Sequence, residues 1–197
     1  MMNNTKSSFR MKIILASGSP RRAELMKQMG LEFVVDKQTS FEEIVPEDMA
    51  PEKVPAYFAE GKSKNFHRAL EDDEVLVSAD TVVICDGQIM GKPAGVAEAA
   101  EMLKTLSGRT HKVVSAVSVR SNRRQITLSD TTEVSFVQLS DAQIDYYIEN
   151  YRPLDKAGAY GIQEWIGLIG SDGIRGSFYT VMGLPTHLLY SLLEEFN

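Results

Sequence analysis

The 197-residue chain carries one cysteine, one tryptophan and three histidines, and each scarcity removes an explanation. A lone Cys85 leaves no intramolecular disulfide, so packing alone must hold the fold, which suits a reducing cytoplasm. His67, His111 and His187 show no metal-ligand spacing, and no Ser/His/Asp or Cys/His grouping stands out. No run approaches the ~18 consecutive apolar residues that would point to a membrane span. The opening MMNNTKSSFRMK lacks the apolar core, roughly 7–15 residues long, of a signal peptide. Positive charge is also short: 21 Lys and Arg face 27 Asp and Glu, for a net charge of −6. That balance argues against a general nucleic-acid binder, whose surface is normally basic. It leaves room for a local cationic cluster around a small anion.

What is present reads as one α/β unit over residues 11–197, with 1–10 a loose tail. Apolar patterning predicts strands at 11–16, 33–35 and 75–85, with 88–90 returning across Asp86-Gly87. Helices are expected at 20–29, 51–70, 96–106 and 185–196, with an acidic irregular stretch over 36–50. His111–Arg120 and Ile126–Gln138 read as two strands of a hairpin joined by SNRRQ. Ser140 with Gln143 forms a capping box that opens a further helix. The glycine-rich stretch 151–183 is expected to be loops and small strands. Alternating helices and strands followed by a hairpin imply a mixed sheet with flanking helices, not a strictly parallel one.

Several short stretches carry chemistry. In 14-ILASGSPRRAEL-25 two arginines stand at a helix start, the end where the backbone dipole already disfavours cations. An anion resolves the conflict. With Ser19 as N-cap and Pro20 as first helical residue, the amides around Ser17 and Gly18 and the forks of Arg21 and Arg22 can hold phosphate oxygens. The pattern is neither a P-loop nor a dinucleotide fingerprint. Asp80 interrupts the β-branched run 77-VSADTVVI-84, where a buried carboxylate is costly without a partner or a task. Lys62 and Lys64 both border the apolar face of the 51–70 helix, and helical geometry does not choose between them. Lys92 lies in the rigid turn 91-GKPAG-95. Glu42 and Glu43 supply carboxylates that a divalent cation beside Asp80 could use. Gln163, closing 155-DKAGAYGIQ-163, offers a donor and an acceptor suited to a base edge. Each has an ordinary alternative: solvated arginines on a capped helix, a carboxylate met by backbone donors, lysines reaching to solvent, a loop-bridging amide.

Taken together, SGSPRR, SADTVV with GKP, LSGRTH, DKAGAYGIQ and YTVMGLP, in this order, resemble the Maf family (septum-formation-inhibitor-like proteins) from about Lys12 to the C-terminus. The resemblance implies an elongated mixed α/β fold shared with inosine triphosphatases, with a cleft between two lobes. It implies a nucleoside triphosphate pyrophosphatase that releases pyrophosphate and a monophosphate, a divalent cation such as magnesium or manganese, and often a homodimer. It aligns Lys62, not Lys64, with the catalytic lysine. It also implies catalytic Asp80, Lys92, Arg22 and Glu42, with Glu42 and Asp80 on the metal and Ser17, Gly18 and Ser19 around the phosphates. Arg21, Thr81 and Gln163 resemble the dTTP/UTP-cleaving subgroup, whereas the 7-methyl-GTP subgroup tends to carry an aromatic residue at the position of Arg21. Glu164-Trp165 departs from the glycine common after the glutamine. A nucleotide-binding regulator of cell division with weak catalysis, or a specificity for a modified purine, are the alternatives.

Overall fold

A computed structural model describes residues 9–197. Three parallel strands open the fold: β1 (Lys12–Leu15), β2 (Phe33–Val35) and the long β3 (Glu74–Cys85), with β1 in the middle. Helix α1 (Pro20–Gln28) links β1 to β2, and α2 (Val54–Lys64) precedes β3. Then come β4 (Gln88–Met90), α3 (Val96–Leu106) and the hairpin β5 (Thr110–Arg120) and β6 (Gln125–Phe136). Helix α4 (Asp141–Tyr151), short α5 (Trp165–Gly170), β7 (Ser171–Arg175), short α6 (Phe178–Met182) and α7 (Thr186–Phe196) complete the chain. The sheet runs β2-β1-β3-β5-β6-β7, with β4 also on β3; only β1, β2 and β3 pair in parallel. The mixed α/β sheet is as the sequence implies.

The register of β3 determines everything that follows. Along one edge β5 pairs it continuously from Leu76 to Ile84. Along the other edge β1 pairs only as far as Val77, and β4 begins only at Val83. Residues 78–82 therefore have an open edge. Alternation of side chains splits this stretch between two faces. Ser78 points to α2, where its hydroxyl donates to the carbonyl of Ala59 at 2.7 Å, and Asp80 shares that face. On the opposite face Val75, Val77 and Ala79 join one apolar cluster with Leu189, Leu192 and Leu193 of α7, while Val83 and Cys85 join a second with Leu103 and Tyr147. Thr81 falls between the two.

Two expectations need correction. The helix expected over 51–70 is a 3-10 turn at Pro51–Lys53 and α2 proper, which ends at Lys64. A tertiary contact stops it, with the Thr39 hydroxyl 3.2 and 3.1 Å from the carbonyls of Lys62 and Asn65, and locally the Asn65 side-chain amide donates to the Gly61 carbonyl. The stretch 151–183 contains α5 and α6 as well as β7. Of the N-terminal stretch 1–10, residues 1–8 lie outside the described residues; Phe9 packs edge-on against Tyr190 and the Arg10 amide donates to Asn197.

His111 is buried away from the open edge, 2% exposed between Phe136 and Tyr160. Its Nε2 meets the Tyr160 hydroxyl at 2.7 Å, while Nδ1 is the buried side-chain polar atom without a partner among the described residues. Burial pushes its pKa down from 6.5 to about 4. Between those values the unfolded chain binds the extra proton, so stability is full above pH 6.5 and falls as pH drops toward 4. The loss is on the order of 3 kcal/mol. His111→Phe is expected to be less stable at neutral pH, because Tyr160 loses its partner, yet to show a flatter decline between pH 6.5 and 4. Urea midpoints across that range check both.

Candidate active site

The open edge of β3 is the floor of a cleft of about 790 Å³. The turn after β1, with Ser17, Gly18 and Ser19, lines it, as does Lys92 just after β4. Six cations line this cleft, Arg21, Arg22, Lys37, Lys62, Lys92 and Lys156, against three carboxylates, Glu43, Asp80 and Asp155. In a chain of net charge −6, that local excess marks an anion site.

On the α2 face, Lys62 Nζ reaches Asp80 Oδ1 at 2.6 Å and Glu43 Oε1 at 2.8 Å. Burial pushes the Asp80 carboxyl above the usual carboxylate range, against the opposing pull of Lys62 and Arg22. For Glu43 burial also pushes up, but the hydrogen bond and charge of Lys62, with Lys92 and Arg22, outweigh it and hold the carboxyl low. Glu42 does not line the cleft; it is exposed on the same loop, and the adjacent Glu43 occupies the place expected of it. In irregular backbone no periodicity separates two neighbouring glutamates. Gly61 fixes that loop: a Cβ there would lie 2.2 Å from the ring of Phe41, which leads into Glu43.

On the opposite face Arg22 is clamped. Nε donates to the Gly183 carbonyl at 2.8 Å, Nη1 to Ala79 O at 2.9 Å and Ser17 Oγ at 3.2 Å, and Nη2 to Thr81 Oγ1 at 3.2 Å. Ala79 O is on the unpaired edge, so the guanidinium satisfies a carbonyl that a strand would otherwise take. Four of its five N–H donors are thereby used, and no carboxylate among the described residues forms an ion pair with it. Burial lowers its pKa and the charge of Asp80 partly offsets this. Gly183, at φ 109°, holds the backbone conformation that aims its carbonyl at both Arg22 and Thr81. The Thr81 hydroxyl also meets Ser115 Oγ at 2.8 Å, and Ser115 donates to Thr180 O.

The helix start behaves differently from expectation in one detail. Ser19 takes the N-cap position without a side-chain cap bond, and its amide donates instead to Ser17 Oγ. Pro20 has no N–H, so the Arg21 and Arg22 amides stand at the helix start without intrahelical acceptors. Arg21 turns away from Arg22 to Asp155, at 2.9 Å. Gln163 lines the same cleft and is exposed.

Residues 12–196 match the family described as Maf-like protein. The chain belongs to the Maf-like protein family. It is 48% identical over 199 residues to a dTTP/UTP pyrophosphatase of Porphyromonas gingivalis, covering 100% of this chain and 98% of the relative. A dTTP/UTP pyrophosphatase of Phocaeicola vulgatus is 47% identical over 93% of this chain and 95% of its own. Among solved structures, a HAM1 protein from Coxiella burnetii aligns over 66% of this chain and 74% of its own at a TM-score of 0.42 and 15% identity, too distant to carry an inference.

In this Maf-like chain the structure gathers Ser17, Gly18, Ser19, Arg21, Arg22, Lys62, Asp80, Thr81, Lys92 and Gln163 around one cleft. Of the two glutamates considered in the sequence it takes Glu43, and it adds Asp155, Lys156 and Lys37, which were not singled out there. Lys37 lies across the turn, its Cδ 3.4 Å from where a Cβ on Gly18 would be. Only its position two residues beyond the end of β2 could have hinted at it. Gly61→Ala is expected to push the Phe41 ring aside and to cost about 1–3 kcal/mol of stability. Thermal unfolding of the variant measures that loss.

Proposed function

We propose that this protein is a nucleoside triphosphate pyrophosphatase that cleaves dTTP and UTP between the α- and β-phosphates. The observation that carries the reading is the Lys62 ammonium held between Asp80 and Glu43 on a floor with surplus positive charge. The names of the near-full-length relatives support the substrate.

The triphosphate lies along the turn 17–19 and the start of α1, where backbone amides and the helix dipole favour anions. Lys92 and Lys37, which make no ion pair among the described residues, take phosphate oxygens. Arg22 contributes charge and holds the turn, β3 and Gly183 in register. Asp80 accepts the proton of the water that attacks the α-phosphorus; a carboxyl destabilised by burial is a better base. Lys62 orients Asp80 and Glu43 and stabilises charge that grows on the transferred group. Lys62 Nζ takes Asp80 Oδ1 and Glu43 Oε1, and the second oxygen of each carboxylate is the donor of the kind a divalent cation uses, since magnesium commonly takes one or two carboxylates plus phosphate oxygens and water. Asp80 and Glu43 would hold a magnesium or manganese ion, which would supply charge neutralisation and polarisation at the phosphate. Arg21, Thr81 and Gln163 border the base; Gln163 can donate to O4 and accept from N3–H of uracil or thymine.

Pyrophosphate release from a panel of canonical and modified triphosphates, with metal and with chelator, tests the reading. Metal-dependent release led by dTTP and UTP is expected, and Asp80→Asn should lower it by about 10³-fold in a variant whose circular dichroism shows the fold intact. Release led by a modified purine would overturn the base preference. Nucleotide binding without release would leave a regulator.

A further inference from the structure

Behind Arg21 and Gln163 runs a chain of alternating charges that the reaction itself does not use. Arg21 Nη1 donates to Asp155 Oδ2 at 2.9 Å; Lys156 Nζ donates to Asp155 Oδ1 at 2.8 Å and lies 3.2 Å from Glu164 Oε1. The Tyr147 hydroxyl, on α4, donates to Glu164 Oε2 and accepts from the Gly161 amide at 2.9 Å. Lys156 is 7% exposed and Tyr147 is fully buried. The order of charge is plus, minus, plus, minus, ending on a phenol, so the set is neutral. A buried ammonium with two carboxylates depends on both, because losing either leaves charge uncompensated away from water.

Glu164 occupies the position where the sequence departs from the glycine common after this glutamine. It is also the residue next to Gln163, and its own amide donates to Gly161 O. Two cleft side chains therefore have their supports in one network. Arg21 is steered through Asp155, and the backbone under Gln163 is tied through Glu164 and Gly161.

We infer that Lys156 and Glu164 are positioning residues that set base discrimination by holding Arg21 and Gln163 in place. This rests on the pyrophosphatase reading above. Removing the Glu164 charge leaves Asp155 as the sole carboxylate on Lys156, draws it from Arg21 and loosens the backbone before Gln163.

The test compares kcat and KM for dTTP, dCTP and dATP in wild type, Glu164→Gln, Arg21→Ala and the double variant. In Glu164→Gln the preference for dTTP over dCTP is expected to fall about fivefold or more, through KM, with kcat for dTTP nearly kept. In the Arg21→Ala background the same change should do clearly less, since part of its route is gone. An unchanged preference in folded Glu164→Gln overturns the inference, and so does a loss equal in both backgrounds, which marks general loosening. Should Glu164→Gln melt far below wild type, Tyr147→Phe replaces it: it removes one hydroxyl, keeps the ring stacked on Tyr151, and should shift the preference in the same direction. An unmoved preference in Tyr147→Phe would then overturn the inference. Absence of pyrophosphate release from wild type would instead sink the pyrophosphatase reading.

Discussion

The site depends on a vacancy in hydrogen bonding: the stretch of β3 between the end of β1 at Val77 and the start of β4 at Val83. A strand edge left bare inside a protein is a liability, because each carbonyl and amide needs a partner. Here Arg22 answers part of that need by binding Ala79 O. The arginine is there because α1 begins right at the end of β1, and the turn that makes this junction is the one whose amides suit an anion. One short break in pairing thus places a cationic helix start, a buried carboxylate and the Thr81 hydroxyl within one cleft. Alternation along the strand then sends the Asp80 carboxylate and the Thr81 hydroxyl to opposite faces of one backbone.

The positive charges of the cleft are of two kinds. Lys62, Lys156, Arg21 and Arg22 are held by protein acceptors, so their positions are set in advance of any ligand. Lys37 and Lys92 are not held by ion pairs among the described residues. Fixed dipoles and charges cost little reorganisation when a transition state forms. Loosely held ammonium groups can follow a ligand as it enters and leaves. The cleft combines both kinds, with the fixed set buried or half-buried and Lys37 and Lys92 exposed.

Most of this was legible where chemistry conflicts with local structure. Asp80 in a β-branched run and two arginines at a helix start both break a propensity rule, and both stand at the cleft. The strand and helix order was legible from periodicity, and Ser140-Gln143 gave the start of α4 with its reciprocal bonds. Less could be read where tertiary contacts decide. The end of α2 is set by Thr39, 23 residues from Lys62, and no local signal encodes that. Helices α5 and α6 are short and glycine-flanked; they form because Ile166 and Thr180 are buried, not because of propensity. Glu43 and Glu42 differ only in which way an irregular loop turns, and that turn is set by Phe41 against Gly61. The salt-bridge chain through Lys156 joins residues from three parts of the sequence, so spacing alone could not assemble it.

The two apolar clusters lie at opposite ends of the same long strands. Val75, Val77, Val117 and Val119 belong to one cluster and Val83, Val113 and Val134 to the other. Between them the strands carry hydroxyls, Thr81 and Ser115, in place of interlocking methyl groups. On the other face, at the same level, Val82 and Val114 pack with Val54 and Phe58, so the strands there are apolar on one side and carry hydroxyls on the other. A substitution at Thr81 or Ser115 therefore changes hydrogen bonding to Arg22 and Thr180 beside the cleft and leaves the volume of either end cluster untouched.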